Sequence, residues 1–149
     1  MELIELFSED NADFQFKAKD KEEALKKLSE LICKNRENID KNKVFEVLMD
    51  REKLGSTGIG NHVAIPHGKL DINENLIGAV AISNEGVDFD SIDKKPVKIF
   101  FTLISSKDAT NLHLKVLAKI SRLLMNKEFN EKLLNITSFF EFKELLKQY

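Results

Sequence analysis

Two long apolar runs constrain this chain more than any other feature of its sequence. They are LIGAVAIS at residues 76–83 and VKIFFTLI at residues 97–104. Each is too short for a membrane-spanning helix, which needs about 20 apolar residues. Neither run alternates with polar residues as a half-exposed strand does. Nearly continuous apolar runs of this length are typical of central strands, so they predict a sheet that is covered on both faces.

The residues before these runs predict one short strand and two helices. ADFQFKAK at residues 12–19 alternates phenylalanine with polar residues, as a half-buried strand does. Asp20 can cap a helix, with Glu23 three residues later, and a second helix is predicted from Asp40 toward Arg51. The apolar stripe of the first helix comprises Ala24, Leu25, Leu28, Leu31 and Ile32.

The residues after the runs return to helical patterns. Helices are predicted at residues 112–125 and 127–134, and Ser138 with Glu141 forms a capping box for a last helix. A third strand is predicted at residues 62–66. Helices on either side of a block of strands indicate an α/β or α+β layered fold, in a single domain over residues 1–149.

Charge and cysteine content exclude several functional classes. The net charge of −2 and the interspersed lysines and acids argue against a nucleic-acid-binding protein. Cys33 is the only cysteine, so no internal disulfide is possible. The acidic start MELIELFSED lacks the pattern of a signal peptide, and no run is long enough to insert into a membrane. We therefore expect a cytoplasmic protein.

The loop LGSTGIGN at residues 54–61 resembles two nucleotide-binding motifs without matching either. Gly55 and Gly60 have the spacing of a P-loop, but Asn61 and His62 replace its lysine and hydroxyl residue. A dinucleotide-binding motif fails as well, because Val63 occupies the place of the third glycine. The simplest alternative is a flexible connection between a helix and a strand.

The neighbours of these glycines point to a different ligand. Ser56 and Thr57 offer hydroxyl groups, the loop around Gly58 offers backbone N–H groups, and Arg51 supplies a fixed cation. Hydroxyls, backbone N–H groups and a guanidinium are the groups that bind oxyanions and phosphoryl groups.

His67 is the strongest candidate for a reactive group. It stands between Pro66, which fixes the local backbone, and Gly68, which leaves room for a partner or substrate to approach. A zinc site shared with His62 is disfavoured, since side chains five residues apart in an extended segment point to opposite faces. A bend at Pro66 would remove that objection. His67 is thus either functional or a structural histidine.

His113 is predicted to face the protein interior. It lies near the start of a helix, in line with Leu117, Ile120 and Leu124. The N-terminus of a helix disfavours added positive charge, so its imidazole should stay neutral. It is either a core histidine with a hydrogen-bond partner or a second imidazole that stabilises what His67 carries.

The segment REKLGSTGIGNHVAIPHGK at residues 51–69 resembles the signature of type 2 EIIA domains. These belong to the fructose/mannitol class of the bacterial phosphoenolpyruvate-dependent phosphotransferase system. The resemblance continues through FDSIDKKPVKIFFTLIS and NLHLKVLAKISRLL and is strongest to the nitrogen-regulatory (PtsN-type) branch. It implies a mixed β-sheet sandwiched between helices, and neither a cofactor nor a metal.

The resemblance also implies roles for individual residues. His67 would accept a phosphoryl group from an HPr-like phosphocarrier, Arg51 would stabilise its charge, and His113 would hydrogen-bond nearby. The loop residues Ser56, Thr57 and Gly58 would border the pocket. His62 stands where relatives commonly have a small residue such as glycine, and we assign it no role. We expect the exposed apolar residues Ile59 and Val63 to help the carrier to dock.

Three functional hypotheses follow. The first is a regulatory phosphocarrier whose phosphorylation state controls target proteins. The second is a sugar-transport EIIA component that passes its phosphoryl group to a separate EIIB. The third is a metal- or ligand-binding module in which the histidines never carry phosphate.

Overall fold

A six-stranded mixed sheet forms the centre of the protein. The computed structural model describes residues 2–149. The strands are β1 (Ala12–Asp13), β2 (Gly58–Gly60), β3 (Val63–Ala64), β4 (His67–Lys69), β5 (Leu76–Val87) and β6 (Val97–Ser105). They lie in the order β1-β5-β6-β3-β2, and β4 pairs with β6 on the same side as β3.

Helices cover both faces of this sheet. They are α1 (Lys21–Cys33), α2 (Lys41–Lys53), α3 (Thr110–Leu124), α4 (Lys127–Leu133) and α5 (Phe139–Leu146), preceded by 3-10 turns at Leu3–Leu6 and Glu9–Asn11. The predicted helices and the predicted layering are therefore confirmed. Sequence reasoning did not predict the two 3-10 turns.

The two apolar runs form the antiparallel pair at the middle of the sheet. Their register runs from Leu76 opposite Ser105 to Ile82 opposite Ile99. Side chains alternate along a strand, so Phe101 packs in the core with α3, α4 and α5, whereas its neighbour Phe100 packs in the core with α1 and α2. Both faces of these runs are thus buried, which explains why the runs are almost entirely apolar.

Side-chain caps define the helices on the α1–α2 face. The Asp20 carboxylate accepts a hydrogen bond from the Glu23 amide at 3.0 Å, as predicted. The Asp40 carboxylate caps α2 through the Asn42 amide at 2.8 Å. The predicted stripe of α1 is buried except at Leu31, which is partly exposed. Since α2 continues to Lys53, it places Arg51 in its last turn.

The strand predicted at residues 62–66 is wrong in its bounds. Only Val63–Ala64 is a strand there, and the glycine-rich segment Gly58–Gly60 pairs with it antiparallel. Asn61 and His62 connect these strands with φ values of 56° and 66°. Two successive left-handed residues are the pattern of a tight hairpin turn. His62 therefore lies in a turn, and the argument from alternating faces does not apply to it.

The strand predicted at residues 12–19 is also shorter than expected. The ladder with β5 comprises Ala12 and Asp13 alone, paired with Val80 and Ala81. The chain then leaves the sheet, although the Phe16 amide still donates a backbone hydrogen bond of 2.9 Å to the Ile82 carbonyl of β5. The Phe16 side chain is buried, and its ring packs 5.4 Å from that of Phe100.

Pro66 separates β3 from β4 without ending the edge of the sheet. Val63 lies opposite Ile99 and His67 lies opposite Leu103, both in parallel pairing with β6. Proline has no N–H to donate to a ladder, but the Pro66 carbonyl still accepts from the Leu103 amide at 3.0 Å. The pairing with β6 therefore continues past the proline and fixes the backbone at His67.

Gly68 is required by close packing between β4 and α2. A Cβ atom at this position would lie 2.2 Å from Cγ1 of Val47. Our prediction that Gly68 leaves room for a partner is therefore wrong, because the Val47 side chain fills that space. The absence of a side chain lets the strand that carries His67 lie directly on the helix that carries Arg51.

Gly68→Ala is expected to destabilise the fold by about 1–3 kcal/mol, the usual cost of inserting a methyl group into a packed core. The loss is measurable as a lower urea midpoint in equilibrium unfolding. Val47→Ala removes the clashing methyl group, so the double variant should lose less than the sum of the two single losses. Strictly additive losses would show that this contact does not determine the need for glycine.

Candidate functional site

The His67 imidazole is held in one tautomer by the backbone. Its Nδ1 atom lies 2.7 Å from the carbonyl oxygen of Ile65. A carbonyl can only accept a hydrogen bond, so Nδ1 carries the proton. The lone pair of the neutral ring is then on Nε2. A single local hydrogen bond thus selects the nitrogen that can act as a nucleophile.

The electrostatic surroundings keep His67 neutral. Partial burial is the main effect that lowers the pKa of His67, and the nearby Arg51 charge lowers it further. The Ile65 carbonyl and the Glu52 carboxylate act in the opposite direction. The net shift is downward from 6.5, so at neutral pH the ring has a free lone pair. A neutral imidazole is the form that attacks phosphorus.

His113 packs edge-on against His67. The ring centroids are 5.5 Å apart with an interplanar angle of 77°. His113 is buried as predicted, and its Nδ1 lies 2.5 Å from the Ser105 hydroxyl. Burial, followed by the charges of His67 and Lys69, lowers the pKa of His113 to about 4. The predicted neutral state is confirmed, although burial rather than the helix N-terminus is its main cause.

Two cations flank this histidine pair. Arg51 donates a hydrogen bond of 2.8 Å to the Gly55 carbonyl, which anchors the guanidinium at the start of the loop. Lys69 donates from Nζ to the Thr110 hydroxyl at 2.9 Å and thereby links β4 to the first turn of α3. Sequence reasoning missed Lys69. Its place two residues after His67 on the same strand was the available signal, because such residues share a face.

Internal contacts define the shape of the loop at residues 56–58. The Ser56 hydroxyl oxygen accepts from the Gly58 amide at 3.0 Å. Thr57 is buried, and both its amide and its hydroxyl donate to the Glu52 carboxylate. A Cβ atom on Gly58 would lie 2.6 Å from the Cβ of Ser91. Thr57 therefore holds the loop to α2, while the Ser56 hydroxyl hydrogen has no other partner among residues 2–149.

Glu52 is the second residue that sequence reasoning missed. Its side chain is 3% exposed and forms an ion pair of 3.0 Å with Lys21, whose side chain is 22% exposed. The Lys21 ammonium also lies 5.1 Å from the centre of the Phe89 ring. Within REK, at the charged end of a helix, nothing distinguishes this glutamate from a solvated one. Only the folded chain brings Thr57 and Lys21 to the same carboxylate.

An apolar rim lies beside the loop. We define it as Leu54, Ile59 and Ile92, which are exposed large hydrophobic residues. Leu54 is 85% exposed directly after α2, and the Ile92 amide donates to the Gly58 carbonyl at 3.1 Å. Ile59 is thus exposed as predicted, whereas Val63 is buried and that part of the prediction is wrong.

The His62 ring contacts a backbone carbonyl and is not part of the histidine pair. Its Nδ1 atom lies 2.7 Å from the Pro96 carbonyl. Within residues 2–149, no three His, Cys, Asp or Glu side chains form a group that could hold a metal ion. No helix of this described part is long and apolar enough to cross a membrane.

The sequence and the fold both place the chain among known proteins. Residues 5–149 match the family model described as "Phosphoenolpyruvate-dependent sugar phosphotransferase system, EIIA 2". The chain belongs to this family. EIIA proteins of the system are phosphoryl carriers, and the predicted resemblance is confirmed.

Individual relatives agree with this assignment. The nitrogen regulatory protein of Bradyrhizobium diazoefficiens is 45% identical over 108 residues, which cover 71% of each protein. The crystal structure of nitrogen regulatory protein IIA-Ntr from Neisseria meningitidis is 33% identical, with a TM-score of 0.88 over 95% of this chain and 97% of that one.

A sugar-specific relative has the same fold. The mannitol enzyme IIA of Escherichia coli, solved in a complex with phosphorylated enzyme IIB, is 25% identical. Its TM-score is 0.78 over 96% of this chain and 98% of that one. The mixed sheet between helices is thus shared by both branches.

Proposed function

We propose that this EIIA protein accepts a phosphoryl group on Nε2 of His67 from the phosphohistidine of an HPr-like phosphocarrier. Its phosphorylation state would then control its binding to target proteins. The observation that carries the proposal is the hydrogen bond from His67 Nδ1 to the Ile65 carbonyl. It directs the lone pair to Nε2 within a signature shared with the nitrogen regulatory proteins.

The transfer is balanced without a cofactor. The Nε2 lone pair of His67 forms a bond to phosphorus while the nitrogen–phosphorus bond of the donor phosphohistidine breaks. The donor imidazole keeps the electron pair of the broken bond. The His67 ring gains positive character as the new bond forms, and the Ile65 carbonyl that accepts from Nδ1–H stabilises that charge. The product is a phosphoramidate, from which the group remains transferable.

Positioning and charge stabilisation are the main demands of phosphoryl transfer. Arg51 supplies positive charge near His67, and Lys69 supplies it near His113. Since His113 is neutral, a proton on its Nε2 can be donated to a phosphoryl oxygen while the Ser105 hydroxyl donates to Nδ1. The Ser56 hydroxyl completes the set of groups that we propose for the phosphoryl site, and the Gly58 amide, which donates to its oxygen, holds that hydroxyl in place.

The apolar rim is suited to transient docking. Leu54, Ile59 and Ile92 expose apolar surface beside a loop that presents polar groups. Carrier complexes have to dissociate after each transfer, and interfaces of low affinity typically bury less than about 1,200 Å². A small apolar rim beside the loop at residues 56–58 satisfies that requirement for an HPr-like carrier.

A sugar-transport role is the alternative that a specific observation favours. The mannitol enzyme IIA of Escherichia coli forms a complex with phosphorylated enzyme IIB. By analogy, this chain would pass its phosphoryl group to a separate EIIB domain. The two roles share the first transfer and differ only in the acceptor of the second.

Phosphorylation in vitro tests the proposal. Labelled phosphoenolpyruvate, enzyme I and an HPr-like carrier should give one labelled site per chain, stable to alkali and labile in acid. Adding an EIIB domain separates the roles, because only the transport component should lose its label quickly. A chain that stays unlabelled although the carrier is phosphorylated would contradict the proposal.

The stability of the protein should fall in acid through His113. The pKa of His113 is lowered from 6.5 to about 4 in the folded protein. Between these values the unfolded chain binds a proton that the folded chain does not, so the free energy of unfolding decreases as the pH falls. This contribution is complete above the unfolded pKa of 6.5 and is lost on approaching 4.

Urea unfolding of the wild type and of His113→Gln between about pH 7.5 and about pH 4.5 measures this contribution. The carboxylates titrate equally in both proteins and cancel in the difference. The stability advantage of the wild type over the variant should shrink as the pH is lowered. A difference that stays constant over this range would show that His113 is not held neutral by the fold.

A further inference from the structure

A second concave site lies at the far end of α3. This α3–α5 cleft has a volume of about 520 Å³ and is formed by the first 3-10 turn, the C-terminal parts of α3 and α5, and Tyr149. Ligand sites for small molecules typically have volumes of about 300–1,000 Å³. Lys119, the first residue of α3 in the lining, follows His113 by six residues, so the cleft begins about 9 Å along the helix axis from His113.

Positive charge converges on this cleft from two helices. Lys119 and Arg122 come from α3, Lys143 and the C-cap residue Lys147 come from α5, and Glu2 is the only acidic side chain in the lining. The chain as a whole has a net charge of −2, so this is a local reversal of sign. The sequence of α3, TNLHLKVLAKISRLL, contains no acidic residue.

Three of these four cations are unpaired. Lys147 forms an ion pair with Glu144 at 3.1 Å. In the described residues 2–149, no carboxylate lies within 4.0 Å of the charged groups of Lys119, Arg122 or Lys143, and none of these groups donates a hydrogen bond. Some lysines on the other helices are paired, as in Lys27–Glu23 and Lys132–Glu128.

The floor and one wall of the cleft are apolar. Leu3, Ile4, Leu123 and Leu146 line it between the cations. Tyr149 contributes an aromatic ring to the lining, and this residue is 45% exposed. This ring packs edge-on against Phe129 at 5.1 Å, and its hydroxyl donates to Glu128 at 3.2 Å. An aromatic face is therefore held in place beside the cations.

The helix dipole explains only part of this arrangement. It favours one cation in the last turn of each helix. It does not account for unpaired cations from two helices around a shared apolar floor. A ligand that matches both features carries negative charge and a flat apolar group.

We propose that the α3–α5 cleft binds an aromatic phosphate, the chemical class that includes nucleotides. The phosphate lies between the cations of α3 and those of α5, and the aromatic group rests on Leu123 and Leu146 beside the Tyr149 ring. The proposal does not depend on the function of His67.

Titration with 1-naphthyl phosphate, followed by NMR of ¹⁵N-labelled protein, tests the proposal. The signals that shift should cluster at Leu123, Leu146 and Tyr149. Inorganic phosphate and 1-naphthol each lack half of the ligand and should bind at least tenfold more weakly. If inorganic phosphate binds as tightly as 1-naphthyl phosphate, the cleft attracts charge only and the proposal is wrong.

Charge-reversal variants supply the matched control. Lys119→Glu and Arg122→Glu should each raise the Kd for 1-naphthyl phosphate at least fivefold. Lys115→Glu makes the same charge change on α3 at an exposed residue outside the lining, and it should change the Kd less than twofold. Dispersed NMR spectra will establish that each variant is folded. Equal effects of Lys115→Glu and Lys119→Glu, or shifts confined to the His67 loop, would overturn the proposal.

Discussion

Replacing His67 with alanine should reduce the rate of phosphoryl incorporation by at least about 1,000-fold, because removing a catalytic nucleophile leaves no group that performs its step. His67 combines a fixed tautomer, a free Nε2 lone pair and a lowered pKa. The other two imidazoles are placed differently, because His113 is buried with its Nδ1 at the Ser105 hydroxyl and His62 lies in a turn at the Pro96 carbonyl. The rate of labelling from a phosphorylated HPr-like carrier measures the effect.

The other two histidines serve as matched controls for this experiment. His113→Ala retains the nucleophile but loses one hydrogen-bond donor, so labelling should slow by roughly 100-fold, the usual cost of one donor to a transition state. His62→Ala should label at the wild-type rate. His67→Ala labelled as fast as the wild type would place the acceptor elsewhere, and the double variant with His62→Ala would then show whether His62 accepts the group.

Glu52→Ala should lower the free energy of unfolding by about 3–5 kcal/mol, as expected when one partner is removed from a buried, hydrogen-bonded ion pair. The substitution leaves the Thr57 amide and hydroxyl without their acceptor. It also leaves the Lys21 ammonium unpaired, although this group is 22% exposed and regains water. We therefore expect a loss near the lower end of that range, read from urea unfolding monitored by circular dichroism.

Two further variants separate the charge of Glu52 from its hydrogen bonds. Glu52→Gln keeps an acceptor for Thr57 but cannot form an ion pair with Lys21. Its free energy of unfolding should therefore lie between those of the wild type and Glu52→Ala. Glu46→Ala removes an exposed glutamate from the same helix and should cost less than about 0.5 kcal/mol. If Glu52→Ala is as mild as Glu46→Ala, the Glu52 network does not hold the loop to α2.

Glu52→Ala also bears on activity. Glu52 links α2, which carries Arg51, to the loop at residues 56–58. We expect phosphoryl incorporation to slow in this variant under conditions where it remains folded, since Thr57 is then free to move. The deficit should be smaller than that of His67→Ala, because Glu52 positions the loop and does not itself accept the group.

Local sequence signals predicted the elements well. The apolar runs required strands with two covered faces, and the pairing of β5 with β6 between two helical layers confirms this. Asp20 and Ser138 cap α1 and α5 as their spacing to Glu23 and Glu141 indicated. These predictions succeeded because each depends on contacts within a few residues of chain.

Sequence reasoning was less accurate in the glycine-rich segment. Gly58–Gly60 has little strand propensity of its own and becomes a strand because β3 pairs with it. Val63 was expected at the surface but is buried, since pairing with β6 turns it into the core. Gly68 was interpreted as space for a partner, yet that space belongs to Val47 of α2. In the last two cases a segment far away in the sequence decided the outcome.

The sequence by itself determined the family, the two central strands, most helix boundaries and the choice of His67 as the candidate acceptor. Tertiary structure alone decided that His113 meets His67 edge-on, that Glu52 joins Thr57 to Lys21, and that Lys69 reaches Thr110. The physical reason is the range of the interactions. Caps and periodic apolar patterns act over one or two turns of the chain, whereas the site is assembled by packing between segments that lie far apart in the sequence.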